Sequence, residues 1–161
     1  MPRTSLLILL VSMLITSIGR CDPPAGFVRE TIGPSFDSPV GLIERFDDRK
    51  VVWERAGRIW LLDPDNGRPD DPWLDLSDEV GGWRDHGLLG FALHPAFEQN
   101  GWLYLLYVVD RHHLLNAGTP AYDASVDEYL SATIGRVVRY TARADDGFET
   151  IDPDSRTVLI G

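Results

Sequence analysis

The most informative stretch of this sequence is Trp83–Phe97, which reads WRDHGLLGFALHPAF. Its segment Leu88–Leu93 is a nearly continuous apolar run, which is typical of a strand buried on both faces. Gly87 and Gly90 carry no side chain, so another backbone or a planar ligand can approach the chain closely at those two positions. His94-Pro95 then ends the run. We therefore expect an inner strand of a β-sheet that is preceded by a glycine-rich loop.

Short strand-like runs separated by turn residues make up the rest of the chain, without a long helical periodicity. Ala56-Gly57 is placed to form a tight hairpin, and Asp63–Gly67 (DPDNG) is a turn cluster. The pattern predicts an all-β fold. The expected strands are Phe27–Ile32, Pro39–Phe46, Lys50–Glu54, Arg58–Asp63, Trp73–Leu76, Gly87–Leu93, Trp102–Val109, Arg136–Thr141 and Thr157–Ile160.

A weak internal repeat links two of these regions. Gly41 and Gly90 stand 49 residues apart between apolar neighbours, and the runs that follow, at Val51 and Leu103, stand 52 residues apart. A period of this size with several short strands per repeat indicates propeller blades, although two similar hairpins could also arise by chance. A propeller closes with roughly four to eight blades and this chain would hold about two, so we expect a fragment of a longer protein.

The N-terminus has the pattern of a secretory signal. Arg3 precedes the largely apolar run Leu6–Ile18, and small residues stand before a cleavage site near Arg20. The run is shorter than the roughly 20 residues that span a bilayer, so we expect no membrane span. Residues 1–20 are predicted to be a signal peptide, and the mature protein to be periplasmic or extracellular. Cys21 directly after the cleavage site leaves a lipid anchor as the alternative.

The charge balance excludes some partners. The formal net charge is −10 at pH 7, which argues against binding to nucleic acid or to anionic lipid. The acidic turn Asp63–Gly67 lacks the spacing of an EF-hand calcium loop. Cys21 is the only cysteine, so no intramolecular disulfide can form. The sequence alone therefore predicts no metal site, and it does not indicate an oligomeric state.

The histidines have modest predicted roles. His86 adjoins Asp85, but neighbouring residues of a strand point to opposite faces, so a loop histidine is the favoured interpretation. His94 is expected to form structural hydrogen bonds at a strand end. The adjacent pair His112-His113 has poor geometry for one metal ion and is interpreted as solvated loop. Among the aromatic residues, Trp83 alone lies in a glycine-rich loop where it could stack on a sugar.

Several motifs together resemble the glucose/sorbosone dehydrogenase family. Gly87–Phe97 matches its GLLG-x-A-x-HP-x-F signature, Glu54–Ile59 resembles its E-R-x-G-x-I hairpin, and Arg136–Tyr140 resembles its R-[IV]-x-R-[YF] strand. The similarity covers nearly all of residues 36–161. It implies an exported six-bladed β-propeller, of which this chain would hold about the first two blades, preceded by a lead-in strand and linker at 21–35. Several members of this family use pyrroloquinoline quinone (PQQ) and calcium to oxidise sugars.

The resemblance assigns one site position to this chain. A polar residue, often glutamine, stands two positions before the first glycine of the signature and faces the cofactor or substrate; Asp85 occupies that position here. The structural alternative is a loop residue that caps the turn at Gly87. The family's catalytic histidine, its calcium ligands and most quinone contacts would follow Gly161. We therefore expect no catalytic residue in this chain, which would be inactive by itself.

Three functions follow as hypotheses. In the favoured one, the intact protein is an oxidoreductase that oxidises a small-molecule sugar or other alcohol with a bound quinone, and Asp85 lies in the cofactor site. The alternative is a non-enzymatic propeller that binds a protein or glycan at the cell surface or in the medium, because a fold does not determine a function. A metal-dependent hydrolase propeller is disfavoured, since no ligand set is evident.

Overall fold

The computed structural model describes residues 22–161, so the signal-peptide prediction and Cys21 lie outside the described residues. Ile32–Gly161 forms one compact unit, and residues 22–31 belong to a separate unit. The larger unit contains two four-stranded antiparallel sheets in which each strand pairs with the next one along the chain. The strands are β1 (Pro39–Glu44), β2 (Lys50–Glu54), β3 (Arg58–Leu61) and β4 (Leu74–Asp75) in the first sheet, and β5 (Leu88–Leu93), β6 (Trp102–Val108), β7 (Gly135–Ala142) and β8 (Ile151–Ile160) in the second.

Helical structure among the described residues is limited to three short segments in connections. Helix α1 (Phe97–Asn100) joins β5 to β6, helix α2 (Arg111–Asn116) follows β6, and a 3₁₀ turn (Ala144–Asp146) follows β7. The buried carboxylate of Asp110 caps α2 by accepting hydrogen bonds from the two backbone N–H groups at 112 and 113. The described chain is thus almost entirely β, as the sequence predicts.

The internal repeat appears in the structure as a shared irregularity of the two first strands. The register of β1 against β2 shifts between Pro39 and Gly41, and that of β5 against β6 shifts between Leu88 and Gly90. The two glycines therefore occupy corresponding positions after a β-bulge. At Gly41 the reason is steric, because a Cβ atom there would lie 2.2 Å from the ring of Trp53. The two sheets are copies of one supersecondary unit.

The main core lies between the two sheets. Strand β5 contacts both β1 and β2, so the sheets approach each other through their first strands. Trp53 of β2 stacks on Phe91 of β5 with 5.5 Å between ring centroids, and Trp73 lies 6.5 Å from the same ring. The inner faces also bury aliphatic side chains such as Ile59 and Leu105. Apolar burial of this kind contributes about 25 cal/mol per Å².

Most predicted turns are confirmed. The Ala56-Gly57 hairpin is closed by a hydrogen bond from the Gly57 N–H to the Glu54 carbonyl (3.0 Å). In the Asp63–Gly67 turn, the Asp63 carboxylate accepts hydrogen bonds from the N–H groups of Asp65 (3.0 Å) and Gly67 (2.6 Å). The cluster is therefore a turn that is closed by the side chain of its first residue.

Three predictions are wrong in detail. Residues 27–32 form no strand, and Phe27 and Val28 are exposed, because an alternating pattern alone cannot replace a pairing partner. Strand β5 is not buried on both faces: Leu89, the bulged residue, is 44% exposed. His112 and His113 lie in helix α2 rather than in a solvated loop. No helix formed by residues 22–161 is long and apolar enough to cross a membrane.

Candidate functional site

The loop Gly81–Gly87, which leads into β5, is fixed at both ends to one residue of β6. The Gly81 N–H donates to the Val108 carbonyl, and the Val108 N–H donates to the Gly87 carbonyl, both at 3.0 Å. Between these anchors, the His86 N–H donates to the Trp83 carbonyl (2.9 Å) and closes a turn. The side chains of this loop are therefore presented from a backbone of fixed position.

Gly87 is required by the close approach of the β2–β3 hairpin. The Leu88 N–H donates to the Arg55 carbonyl (2.9 Å), and a Cβ atom at Gly87 would lie 2.6 Å from that same oxygen. The residue also has φ +139°, a conformation that favours glycine. The expectation that another backbone approaches the chain at Gly87 is thus confirmed.

A cavity of about 460 Å³ opens beside this loop. It is lined by Trp83, by His86, by Val108 of β6 and by the segment 130–135. Its volume is in the range of small-molecule binding sites. Trp83, the one aromatic residue for which the sequence allowed sugar stacking, lines this cavity together with His86.

His86 differs from the other three histidines in its hydrogen bonding. Its ring lies 4.1 Å from the Trp83 ring, centroid to centroid, and its Nδ1 atom is buried without a partner. Neither ring nitrogen of His86 forms a hydrogen bond with any residue from 22 to 161. By contrast, the rings of His94, His112 and His113 all take part in hydrogen bonds. Because Nδ1 is buried, Nε2 is the ring nitrogen that a ligand could reach.

Asp85 lies on the exposed side of the same loop. Its carboxylate forms no hydrogen bond or ion pair with residues 22–161, and it does not cap the turn at Gly87. It is not part of the cavity wall that Trp83 and His86 form. The assignment of Asp85 to a cofactor site therefore stays a prediction, and the loop places its carboxylate in solvent next to the cavity.

A buried charged network lies directly before the loop in sequence. One carboxylate oxygen of Glu79 accepts hydrogen bonds from the Tyr107 hydroxyl (2.6 Å), from Arg136 (2.7 Å) and from Arg156 (2.7 Å). Burial raises the pKa of Glu79, but the hydrogen bonds from Tyr107 and Arg136 and the charge of Arg156 outweigh it, so the pKa lies below its ordinary value. Burial, together with the hydrogen bond to Glu79, raises the pKa of Tyr107. Through these bonds Glu79, which lies just before the loop, is joined to strands β6, β7 and β8.

Sequence reasoning did not identify this network, although one feature could have indicated it. In β7, Arg136 alternates with valine and tyrosine so that it shares a face with Val138 and Tyr140, both buried. A charged side chain on a buried face needs a buried partner of opposite charge. The search for that partner would have led to an acidic residue, but not specifically to Glu79.

No group of three or more histidine, cysteine, aspartate or glutamate side chains within 22–161 could hold a metal ion. PQQ carries several carboxylates, which the negative charge of Asp85 would repel. Asp85 is better suited to accept a hydrogen bond from a substrate hydroxyl or to lie near a cation.

The fold places this chain in a structural class. Two four-stranded antiparallel meanders that pack through their first strands are neighbouring blades of a β-propeller. The structure of the PQQ-bound form of aldose sugar dehydrogenase from Streptomyces coelicolor superposes with a TM-score of 0.57 at 18% identity, over 83% of this chain and 33% of that one. A crystal structure of glucose dehydrogenase gives a TM-score of 0.54 at 18% identity, over 77% of this chain and 30% of that one.

The sequence comparison then defines the family. The sequence model named Glucose / Sorbosone dehydrogenase matches residues 36–144, more than half of the chain, so the chain belongs to this family. Among curated relatives, HIPL2 protein from Arabidopsis thaliana is 30% identical over 98 residues, which are 55% of this chain and 14% of that protein. Hedgehog-interacting protein from Homo sapiens is 30% identical over 79 residues, which are 45% of this chain and 11% of that protein. The chain thus matches only a small part of each relative.

Proposed function

We propose that the protein containing this chain is an exported, periplasmic or extracellular oxidoreductase that oxidises a sugar or another alcohol with bound PQQ and calcium. Family membership supports the class of reaction, and the fold is that of sugar dehydrogenases. The observation that carries the proposal is the match of residues 36–144 to the family, which includes the loop before β5. In that loop the exposed Asp85 carboxylate has no protein partner among residues 22–161, and Trp83 and His86 line a cavity.

The contribution of this chain is to bind and orient the substrate. PQQ, when bound, would supply the two-electron chemistry, and residues outside 22–161 would hold it and calcium. Within this chain, Asp85 would accept a hydrogen bond from a substrate hydroxyl, and the Val108 anchors would hold the loop in position. The chain by itself is proposed to be inactive, since we assign no catalytic residue to it.

The test is reconstitution of the protein expressed from its complete gene. PQQ and calcium are added, and dye reduction is measured over a panel of aldoses and polyols. Asp85→Asn should lower kcat/KM by roughly tenfold or more, as expected for a hydrogen bond that involves a charged group. Asp145→Asn, which changes another exposed aspartate, is the matched control and should leave kcat/KM unchanged. Absence of dye reduction with every substrate would refute the oxidase.

A second candidate function is protein binding. It is favoured by one observation, the sequence similarity to Hedgehog-interacting protein. The test is binding of the same full-length protein to an immobilised Hedgehog ligand, measured by interferometry. Saturable binding without dye reduction would favour this function, and absence of binding would exclude that partner.

A further inference from the structure

We propose that Arg55, in the β2–β3 hairpin of the first sheet, is a positioning residue that holds the loop Gly81–Gly87 in the conformation that presents Asp85. Arg55 is the arginine of the E-R-x-G-x-I hairpin. The inference deepens the proposed function and rests on it for the contact between Asp85 and a substrate hydroxyl. The effect of Arg55 on the loop is independent of that contact and can be measured without it.

The hairpin packs directly against the loop. A Cβ atom added at Gly82 would lie 3.2 Å from the Cα atom of Ala56. A Cβ atom added at Gly87 would lie 2.5 Å from the Cγ atom of Arg55. Neither position leaves room for a side chain between the loop and the hairpin. The aliphatic stem of Arg55 is therefore part of the contact between the two sheets at this point.

The guanidinium group of Arg55 holds the middle of the loop. Its Nη1 atom donates a hydrogen bond to the carbonyl oxygen of Arg84 at 3.2 Å, within the normal range for N–H···O bonds. Among residues 22–161, this is the one side-chain hydrogen bond between the hairpin and the loop. The two bonds to Val108 fix only the ends of the loop. Asp85 directly follows Arg84, so the bond from Arg55 acts on its immediate neighbour.

Arg84 has a backbone conformation that needs such a contact. Its φ is +50°, in the left-handed region that bulky residues rarely adopt. Arg84 is also the first central residue of the turn that the bond from the His86 N–H to the Trp83 carbonyl closes (2.9 Å). Glycine, asparagine or aspartate usually occupies a turn position with positive φ. A strained residue persists where its surroundings hold it, and here the holding bond comes from Arg55.

The direction of the Asp85 carboxylate depends on this turn, because Asp85 is its second central residue. Relaxation of the strained Arg84 would therefore move the carboxylate. A displacement of about 1 Å in a group that orients a substrate can lower the rate by about 10²-fold. Arg55 thus acts through Asp85 and needs no contact of its own with the substrate.

The test is a double-mutant cycle in the protein expressed from its complete gene and reconstituted with PQQ and calcium. Arg55→Met keeps the aliphatic stem beside Gly87 and removes the donor and the charge. It should lower kcat/KM by roughly three- to tenfold, the factor for one hydrogen bond. In an Asp85→Asn background the same substitution should have little further effect, because Arg55 acts through Asp85. A merely structural role would give the same loss in both backgrounds.

Three further variants test the cause. Arg55→Lys keeps a charged donor and should recover part of the loss. Arg84→Asn introduces a residue that tolerates positive φ, so in the Arg55→Met background it should also restore part of kcat/KM. Arg68→Met is the matched control and should leave kcat/KM unchanged. Arg68 also donates from Nη1 to a backbone carbonyl, but its acceptor is Ser35 (2.9 Å), outside the loop.

Amide hydrogen exchange followed by mass spectrometry measures the loop without an enzymatic reaction. In Arg55→Met, peptides that cover the loop should exchange roughly three- to tenfold faster, because the turn opens more often. Peptides from β5 should keep their wild-type rate, since the Arg55 carbonyl still accepts from the Leu88 N–H. Arg68→Met should change neither rate. Thermal unfolding checks that each variant is folded.

Unchanged exchange of the loop in folded Arg55→Met, or equal losses of kcat/KM in the wild-type and Asp85→Asn backgrounds, would overturn the inference. Failure to reduce dye with every substrate would refute the oxidase, and the exchange of the loop would then decide the role of Arg55 by itself. Dye reduction with wild-type kcat/KM in Arg55→Met would refute the positioning role and leave the oxidase standing.

Discussion

The two ends of strand β5 differ in how completely their polar groups are paired. At the C-terminal end, His94 Nδ1 accepts hydrogen bonds from the Ala96 N–H (3.0 Å) and from Asn100 (2.9 Å). Asn100 in turn accepts from the Trp102 N–H (2.9 Å), which closes the connection to β6. At the N-terminal end, the ring of His86 forms no hydrogen bond with residues 22–161. The strand is therefore flanked by one histidine ring whose hydrogen bonds close a connection and by another whose ring has no hydrogen-bonding partner.

The difference also extends to packing. Phe97, at the C-terminal end, is 4% exposed and lies 5.1 Å from the ring of Phe148. The corresponding aromatic residue at the N-terminal end, Trp83, is partly exposed on a cavity. A buried aromatic residue stabilises the fold, whereas a partly exposed one beside unpaired polar groups is suited to binding.

The largest loss of stability is expected at the C-terminal end of β5. Phe97→Ala removes a buried ring from the contact between helix α1 and Phe148, and it should lower the free energy of unfolding by about 3–5 kcal/mol. Urea denaturation followed by circular dichroism measures the change. Trp83→Ala is the comparison variant at the N-terminal end of β5, and it should lower the free energy of unfolding by clearly less. Equal losses for the two variants would contradict the difference in packing.

The next largest loss of stability is expected for substitution of Glu79, and it depends on pH. The folded-state pKa of Glu79 lies below the ordinary value of 4.5, so its stabilising contribution is present above about pH 4.5 and is lost as the pH falls through the folded-state value. Glu79→Gln should lower stability at pH 7 by about 1.5–3 kcal/mol, because the hydrogen bonds involve charged groups. The difference between wild type and variant should shrink on acidification.

Thermal unfolding of both proteins from pH 7 to pH 3 provides that measurement. Glu98→Gln, which changes an exposed glutamate, is the control and should show no such pH-dependent difference from the wild type. A difference between wild type and Glu79→Gln that stays constant over this range would refute the charged state of Glu79 in the network.

Gly87→Ala tests whether the structure at the N-terminal end of β5 depends on the close approach of the β2–β3 hairpin. The added Cβ would lie 2.6 Å from the Arg55 carbonyl oxygen in a backbone conformation with φ +139°, and the change should cost about 1–3 kcal/mol. Gly118→Ala is the matched control, because Gly118 also has positive φ but nothing lies within 4 Å of a Cβ there. Chemical denaturation of both variants separates the loss of stability caused by the steric contact from the loss caused by the positive φ. Equal losses of stability in the two variants would show that the hairpin moves to accommodate the added Cβ atom.

The smallest losses of stability are expected for substitution of the two histidines that flank β5. His94→Ala leaves the Ala96 N–H and the Asn100 side chain without their acceptor and should cost about 1–1.5 kcal/mol. His86→Ala breaks no hydrogen bond within the described chain and removes only the contact with the Trp83 ring, so it should lower stability by less than His94→Ala does. Thermal unfolding of the two variants side by side gives the difference. A larger loss for His86→Ala would assign it a structural role and remove it from the binding site.

Most strands were predictable because strand formation follows local patterns. Apolar alternation and turn residues predicted β2, β3 and β6 nearly to the residue, and the glycine spacing predicted the repeat that the bulges at Gly41 and Gly90 confirm. The same rule failed for residues 27–32, where the pattern is present but no neighbouring strand pairs with it. A strand needs a partner, which no local pattern supplies.

The candidate site was predictable only in part. The glycine-rich loop and Trp83 could be identified from the sequence, and Asp85 from the family resemblance. The availability of His86 could not, because it depends on which hydrogen-bonding groups come near its ring. The same holds for Glu79, whose partners Tyr107 and Arg156 lie 28 and 77 residues away along the chain.

The sequence by itself determined the all-β class, the repeat and the family, since these follow from local periodicity, from glycines that close contacts require, and from a contiguous motif. Tertiary structure decided the roles of individual polar residues. His94 and His86 stand at the two ends of one strand, and only the contacts around them make the first structural and the second available. The physical reason is that hydrogen-bond satisfaction and burial depend on residues far apart in sequence.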